Sequence, residues 1–213
     1  MVNVAGFEMV VMKGDKKALG MRVVVGKTGN ETPIFRDTLE NIVVNPYWNV
    51  PTNIAKEEIF PAMARDPGYL ASHNMELVNG GKGVRQKPGP KNALGEVKFL
   101  FPNSHDVYLH DTPVDALFSR ASRAFSHGCI RLERPRDLAY YLFENAAGKT
   151  RADYDELVGG TEKWIKVTEK LPVYVLYFTA WPDDDGSVHF YQDIYNRDEG
   201  VAEALTEQIA MAR

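Results

Sequence analysis

The single cysteine of the chain, Cys129, lies in a short segment with the residue types of a thiol acyl-transfer site. A thiol becomes an effective nucleophile when a nearby imidazole lowers its pKa or accepts its proton, and both His127 and His110 lie upstream of it. Gly128 directly precedes the cysteine, and a glycine lets the backbone turn so that neighbouring N–H groups can point at a developing oxyanion. The segment therefore predicts a nucleophile, a candidate base and candidate oxyanion donors.

His110 is the predicted general base. It ends the alternating run 107–110, and the end of a strand holds a ring in a fixed orientation, as a general base requires. His127 is two residues from the nucleophile, so its side chain is expected to point elsewhere while its backbone helps to form the oxyanion site. The other three histidines are expected to be solvated or structural: His73, His105 and His189.

A zinc site is the alternative interpretation of the same region. Three imidazole nitrogens and one thiolate would make a tetrahedral ligand set from His105, His110, His127 and Cys129. The spacings match no familiar ligand pair, and all four side chains would have to converge. We therefore predict no metal site.

Arg131 lies two residues after the cysteine, where its guanidinium could bind a substrate carboxylate beside the thiol. That arrangement suits a peptide with free carboxyl groups, whereas the simpler interpretation is a solvated arginine. Tyr108 could line the same cleft, although an aromatic residue on a strand more often belongs to the core.

The composition is that of an ordinary globular protein, with 44% apolar and 25% charged residues among 213. A formal net charge of −4 argues against nucleic acid as the main partner, because phosphate binding requires a basic surface. No apolar run is long enough to span a bilayer, so we predict no transmembrane segment. Because the chain begins within a predicted strand and without a signal peptide, we expect a domain excised from a longer protein.

The hydrophobic pattern predicts one domain over residues 1–213, mainly β with peripheral helices, an α+β fold. Strands are predicted at 2–12, 22–26, 32–35, 41–44, 97–101, 107–110, 163–168, 173–181 and 188–191. Helices are predicted at 53–64 with Thr52 as its cap, and at 136–147, 154–158 and 199–212. Residues of about 71–91 are rich in turn signals and are predicted to form a long polar loop.

His110, then fifteen residues, then Ser-His-Gly-Cys with Arg131 two beyond the cysteine resembles the signature of the YkuD-type L,D-transpeptidases. Five other segments resemble the YcbB-like branch of that family in particular, and together they extend the likeness over nearly the whole chain. They are 44–51 (VNPYWNVP), 66–70 (DPGYL), 88–95 (PGPKNALG), 108–113 (YLHDTP) and 193–196 (DIYN).

The resemblance implies a β-sandwich catalytic domain from a periplasmic or other cell-envelope enzyme that remodels peptidoglycan. In this family a cysteine thiolate attacks the donor stem peptide at the L-centre of its third residue, usually diaminopimelate, and expels the terminal D-alanine. The side-chain amine of an acceptor stem then resolves the thioester into a 3–3 cross-link. The family needs no metal or other cofactor, and carbapenems often acylate its members.

Carried onto this sequence, the resemblance makes Cys129 the nucleophile and His110 its general base. The backbone N–H groups of Gly128 and Cys129, with help from His127, would form the oxyanion hole. The substrate-binding residues would be Arg131, Tyr108, Ser126 and Asn92.

The lid of the YcbB-like branch would correspond to residues 71–87, which is short and would expose the cleft to water. Three alternatives therefore stay open beside 3–3 transfer. The same acyl-enzyme could form 1–3 cross-links from another donor bond, or it could be hydrolysed, as in an L,D-carboxypeptidase or endopeptidase. The chain could also be a non-catalytic module that binds cell wall.

Overall fold

A computed structural model of the protein describes residues 1–183 and 185–211, and within them the fold is mainly β with a few helices, as the sequence predicts. The strands, in chain order, are β1 (Val2–Asn3), β2 (Glu8–Lys13), β3 (Lys16–Gly26), β4 (Phe35–Val44), β5 (Trp48–Asn49), β6 (Met75–Val78), β7 (Gly83–Gln86), β8 (Val97–Leu100), β9 (Leu109–His110), β10 (Ala124–Ser126), β11 (Ile130–Leu132), β12 (Lys163–Leu176), β13 (Ala180–Pro182) and β14 (Val188–Phe190).

Six α-helices accompany the strands in the described part of the chain. They are α1 (Thr52–Ile54), α2 (Phe60–Arg65), α3 (Tyr69–Ser72), α4 (Pro135–Ala146), α5 (Arg151–Leu157) and α6 (Asp198–Met211). A π-helical segment, Ala55–Ile59, joins α1 to α2, and two short 3₁₀ turns occur at Asn79–Gly81 and Asp115–Ser119. No helix among the described residues combines the length and the apolar character needed to cross a bilayer.

The main sheet has nine strands in the order β10-β3-β11-β9-β8-β4-β12-β1-β2. Because β2 also pairs with β3, eight of the strands close into a ring, and β10 lies alongside β3. Alternate residues of these strands fill the interior, as Val23 and Val25 of β3 do, and α4 adds Leu142 and Phe143 to the same core. The closed sheet thus gives a rigid frame for the short strands β9 and β11.

A second, smaller core lies beside the main sheet. The three-stranded sheet β5-β7-β6 packs against the helical stretch from α1 to α2 through buried Ile54, Ile59 and Val84. The region 71–91 is therefore not one irregular loop, because β6 and β7 form an antiparallel hairpin around the predicted turn. The hairpin satisfies backbone groups that a free loop would leave to water.

Several boundaries differ from the sequence prediction for local reasons. The turn around Phe7, whose φ is 52°, divides the strand predicted at 2–12. The strands predicted at 163–168 and 173–181 are largely one strand, Lys163–Leu176, whose register against β4 shifts between Lys166 and Leu171. Of the strand predicted at 32–35, only Phe35 is in a strand. Ala212, the predicted end of the last helix, lies outside the described residues.

The first predicted helix starts at Thr52 itself, and Pro51 occupies the N-cap position without a side-chain hydrogen bond. The helix predicted at 154–158 is longer and begins at Arg151. A capping box fixes its start. The Asp153 N–H donates to the Thr150 hydroxyl, and the Thr150 N–H donates to the Asp153 carboxylate.

Candidate active site

Strand pairing brings the predicted site residues onto one face of the sheet. The strands β9 and β11 run parallel, with Leu109 opposite Ile130 and His110 opposite Arg131. Leu109 and Ile130 are buried in the core, at 4% and 0% exposure. Because side chains alternate along a strand, His110 and Arg131 point to the opposite face.

These residues border a cleft of about 740 Å³. The cleft is lined from four parts of the described chain, at 48–58, 93–94, 105–110 and 126–131, and they include the side chains of Cys129, His110, Arg131 and Tyr108. The segment 71–91 contributes none of the lining. The wall opposite the main sheet is instead formed by β5 and the helical stretch from α1 into the π-helical segment.

The loop before Cys129 is shaped by Ser126. The buried Ser126 hydroxyl donates a hydrogen bond to the Cys129 carbonyl at 2.5 Å and accepts one from the Gly128 N–H at 3.1 Å. Gly128 has a φ of 115°, in the region that favours glycine, as the sequence analysis expected of a sharp turn. Ser126 therefore orders the loop from within, and it also lines the cleft.

Buried hydrogen bonds from Thr32 and Tyr195 link this loop to the end of β3. The Thr32 hydroxyl donates to the Gly128 carbonyl at 2.8 Å and accepts from the Gly26 N–H at 2.9 Å. The Tyr195 hydroxyl accepts from the Thr32 N–H at 3.2 Å and donates to the Gly26 carbonyl at 2.5 Å. Because Thr32 is 0% exposed, these bonds are shielded from water and fix the loop firmly.

The oxyanion site differs from the expected one. The Gly128 N–H is already bonded to Ser126, so it is not available to a substrate oxygen in this arrangement. The Cys129 N–H has no acceptor among the described residues and is the free donor at this point. The His127 side chain contacts Glu58, with its Nε2 3.1 Å from Oε1 of that residue, and both residues line the cleft.

The tautomer of His110 follows from its hydrogen bond. Nδ1 lies 2.5 Å from the carbonyl oxygen of Asp111, and a carbonyl only accepts, so Nδ1 carries the proton and Nε2 of the neutral ring can accept one. The Asp111 carboxylate accepts from the Glu96 N–H at 2.7 Å and from the Thr112 N–H at 2.6 Å. These bonds fix the carbonyl that orients the base.

His110 is held in its neutral form. Its pKa is lowered to about 3, mainly by burial and in addition by the positive charges of Arg131 and Lys98, against the raising effect of the Asp111 carbonyl. Lys98 is the partner of His110 on β8, so the imidazole has a cation on each side along the sheet. A neutral imidazole is the form that can accept a proton.

The pKa of the Cys129 thiol is raised, opposite to the lowering that a neighbouring imidazole suggests from the sequence. Burial is the main cause, and it outweighs the lowering by hydrogen bonds from Tyr108 and by the charge of Arg131. The resting site therefore holds a neutral thiol and a neutral imidazole. It can generate a thiolate when a base removes the proton during attack.

Arg131 brings a guanidinium to the lining of the cleft. Its Nε atom is buried and has no hydrogen-bond partner in the part of the chain that the structure describes. Burial also lowers the pKa of its guanidinium, with an opposing effect of Cys129. A buried donor without an acceptor is costly, so a ligand carboxylate would relieve it.

The remaining candidates divide between the cleft and the scaffold. Tyr108 lines the cleft with its ring 5.6 Å from that of His110, and burial and the nearby Cys129 raise its pKa. The structure does not bring Asn92 to the cleft. Its buried amide donates to the Pro46 and Lys87 carbonyls and accepts from the Leu94 N–H, so it orders the loop.

The other histidines lie as the sequence analysis expected, except that His105 also borders the cleft. His73 stacks on Tyr69, and His189 pairs with Asp183 at 2.5 Å on the surface. Within residues 1–183 and 185–211, no three side chains of His, Cys, Asp or Glu are placed to share a metal ion. The alternative zinc set is therefore not assembled in this structure.

Several residues that shape this site were not among the predicted site residues. Thr32, Asp111 and Tyr195 act through buried hydrogen bonds, and Lys98 and Glu58 through charge. Asp111 and Tyr195 lie in the segments 108–113 and 193–196, which resemble the family, but the resemblance did not indicate what either residue does. Thr32, Lys98 and Glu58 carry no local signal.

Comparison with known proteins gives three findings. The family model described as YkuD, the L,D-transpeptidase catalytic domain, matches residues 1–173. A Haemophilus influenzae protein named "Putative L,D-transpeptidase" is 32% identical over 219 residues, which cover 94% of this chain and 44% of that protein. The chain thus spans less than half the length of that relative. An L,D-transpeptidase from Mycobacterium smegmatis gives a TM-score of 0.43 at 18% identity, over 81% of this chain and 55% of that one.

Proposed function

The chain belongs to the YkuD family of L,D-transpeptidase catalytic domains, and from that premise we propose that it cross-links peptidoglycan through an acyl-enzyme on Cys129. The observation that carries the proposal is the composition of the cleft. Cys129, His110 and Arg131, whose Nε has no partner in the described part of the chain, border the same space of about 740 Å³. A nucleophile, a base and an anion-binding group are what acyl transfer from a peptide carboxyl requires.

Acylation would begin from the neutral pair. As the Cys129 sulfur attacks the carbonyl carbon of the third stem residue, Nε2 of His110 accepts the thiol proton. The C–S bond forms, the C–N bond to D-alanine breaks, and the imidazolium returns the proton to the leaving amine. The Cys129 N–H would stabilise the oxyanion in place of the Gly128 N–H, which Ser126 already engages.

Transfer would complete the cycle. The neutral side-chain amine of an acceptor stem attacks the thioester, the C–N bond forms and the C–S bond breaks. The proton lost by the amine passes through His110 to the sulfur, which restores the thiol. With diaminopimelate at both third positions, the product is a 3–3 cross-link.

Donor recognition would fall to Arg131 and Tyr108. The guanidinium would bind a carboxylate of the donor stem, and the Tyr108 ring would form a wall of the cleft beside the thiol. The same acylation chemistry would make Cys129 a target of carbapenems. The segments shared with the YcbB-like branch support assignment to that branch, and the activity supports a periplasmic or other cell-envelope location.

One observation favours keeping 1–3 transfer and hydrolysis as second candidates. The lid segment 71–91 folds onto β5 and contributes no lining to the cleft. A cleft that the lid does not cover can admit a donor in another register, and it excludes less of the water that competes with an amine for the thioester.

The deciding experiment is to incubate the protein with purified disaccharide-tetrapeptide and to sequence the products by tandem mass spectrometry. A dimer formed with loss of D-alanine supports 3–3 transfer, and a dimer that has lost a larger peptide supports 1–3 transfer. A shortened monomer means hydrolysis. The absence of any product, together with binding to intact sacculi, would mean a non-catalytic cell-wall module.

A further inference from the structure

The helical side of the cleft carries a negative charge that the proposed acylation does not use. Glu58 lies on the π-helical segment Ala55–Ile59 and lines the cleft, while the adjacent Ala55 and Ile59 are buried in the small core. π-helical turns are rare and often occur at functional sites, because the extra residue changes which side chains face a given side. Here the segment turns Glu58 toward the catalytic loop.

A contact with His127 fixes the Glu58 carboxylate, which still remains accessible to a ligand. One carboxylate oxygen lies 3.1 Å from Nε2 of His127, and a carboxylate accepts, so His127 is the donor. The Glu58 side chain remains 52% exposed, so its carboxylate is accessible to a ligand that enters the cleft. Glu58 and Cys129 line the same cleft, so the held carboxylate borders the space that an acceptor of the thioester must enter.

The two walls of the cleft therefore have opposite charge. Arg131 offers a buried guanidinium from the main sheet, and Glu58 offers a carboxylate from the helical wall. Both stem peptides carry carboxylates and an amine, but they react through different groups: the donor through the carbonyl of its third residue, and the acceptor through its side-chain amine, which is an ammonium ion in solution. Opposite charges on two sides of the cleft can therefore orient the two stems differently, with the acceptor amine on the side of Glu58.

We propose that Glu58 binds the side-chain ammonium of the acceptor stem peptide and so selects the amine that resolves the thioester. This inference rests on the proposed transpeptidase function. The bound ammonium loses one proton to water, and the resulting amine attacks the thioester carbon. The C–N bond forms, the C–S bond breaks, and the remaining amine proton reaches the Cys129 sulfur through His110.

Asp106 is the competing carboxylate, because it also lines the cleft and its backbone carbonyl lies 3.7 Å from the Cys129 sulfur. We favour Glu58 because a structural contact fixes its carboxylate. The choice is tested directly by the matched variants Glu58→Gln and Asp106→Asn. Glu57→Gln is the control, since Glu57 is the exposed neighbour of Glu58 on the same segment and the substitution removes the same charge.

The experiment measures two steps separately, with the tetrapeptide as donor and two alternative acceptors. D-alanine release and the thioester mass report acylation, and product formation reports transfer to an amine of a stem peptide, which is cationic, or to hydroxylamine, which is neutral near pH 7. We expect Glu58→Gln to raise KM for the cationic acceptor about fivefold, the effect of one half-exposed charge pair. Acylation and transfer to hydroxylamine should not change.

Each outcome decides a different point. An equal loss with both acceptors in Glu58→Gln would mean that Glu58 only supports His127 and its loop, and it would overturn the inference. So would an unchanged KM in Glu58→Gln, or the same increase in Glu57→Gln or in Asp106→Asn alone. Failure of the unmodified protein to form any thioester would instead overturn the proposed function, which keeps the two failures distinct.

Discussion

His110 and Arg131 are direct partners on the parallel strands β9 and β11, so a guanidinium lies beside the imidazole that we propose as the base. Lys98 occupies the corresponding position on the other side of the ring. Two cations and burial therefore favour the neutral imidazole. The arrangement gives a base that is unprotonated at neutral pH, and the free-energy cost of protonating it in the folded state should appear in the pH dependence of stability.

Stability should fall in acid because of His110. In the unfolded chain its pKa is near the ordinary 6.5, whereas in the folded protein it is about 3, so the unfolded state binds more protons between these values. The stabilising contribution is fully present above pH 6.5 and is lost as the pH falls toward 3. We expect His110→Gln to lose less free energy of unfolding than the unmodified protein between pH 7 and about pH 4, as measured by urea denaturation. His105→Gln is the control at an exposed position, and an equal pH dependence in all three proteins would refute the neutral, buried base.

Alkylation of Cys129 should be slow at neutral pH. Burial raises its pKa, so the rate of reaction with iodoacetamide should rise with an apparent pKa above the free value of about 8.5. A cysteine-containing peptide in the same buffer gives the reference curve. An apparent pKa below that of the peptide would indicate a resting thiolate–imidazolium pair, which is not what the structure predicts.

Gly95 should be indispensable to the orientation of the base. It has a φ of 59°, and a Cβ there would lie 2.2 Å from Cγ of Asp111, whose carbonyl holds His110. Gly95→Ala should therefore displace Asp111 and reduce the rate of D-alanine release by on the order of 100-fold. Gly29→Ala is the matched control, because Gly29 also has a positive φ, 87°, but has open space around it. That variant should lose only about 1 kcal/mol of stability, and similar rates in the two variants would contradict the proposed support of His110.

Removal of the Thr32 hydroxyl should lower both the free energy of unfolding and the rate of acylation. Thr32→Val keeps the shape but removes the hydroxyl that serves the Gly128 carbonyl and the Gly26 N–H. Leaving those buried groups unsatisfied should cost about 1–3 kcal/mol in the free energy of unfolding. The loosened loop should also slow acylation by roughly tenfold or more. Thr168→Val is the control, because the Thr168 hydroxyl bonds to the Ala146 carbonyl near the surface. Normal acylation by a stable Thr32→Val protein would show that the loop does not need this support.

The parts of the site that the sequence predicted are the parts encoded locally. Cys129 and Gly128 are neighbours in the chain, and the alternation around His110 places it on the same face as Arg131 once β9 and β11 pair. The mainly β fold was predictable for the same reason, since period-two alternation is a property of short segments.

What the sequence could not provide depends on contacts between distant segments. Thr32 and Tyr195 are 163 positions apart, and nothing in either segment indicates that they bond. Glu58 reaches the catalytic loop only because the small core turns the π-helical segment toward it. The direction of the Cys129 pKa was misjudged because the motif reveals the neighbouring imidazole but not the burial of the thiol. Asn92 was assigned to the substrate because its motif was visible, whereas its hydrogen bonds were not.

The most direct test of the account is the mass of the protein after rapid acid quenching of a reaction with the tetrapeptide donor alone. We predict a covalent adduct equal to the donor minus D-alanine, located by peptide mapping on Cys129 and absent from Cys129→Ala. Release of D-alanine without an adduct at Cys129, or equal turnover by Cys129→Ala, would contradict the cysteine acyl-enzyme on which the proposed function depends.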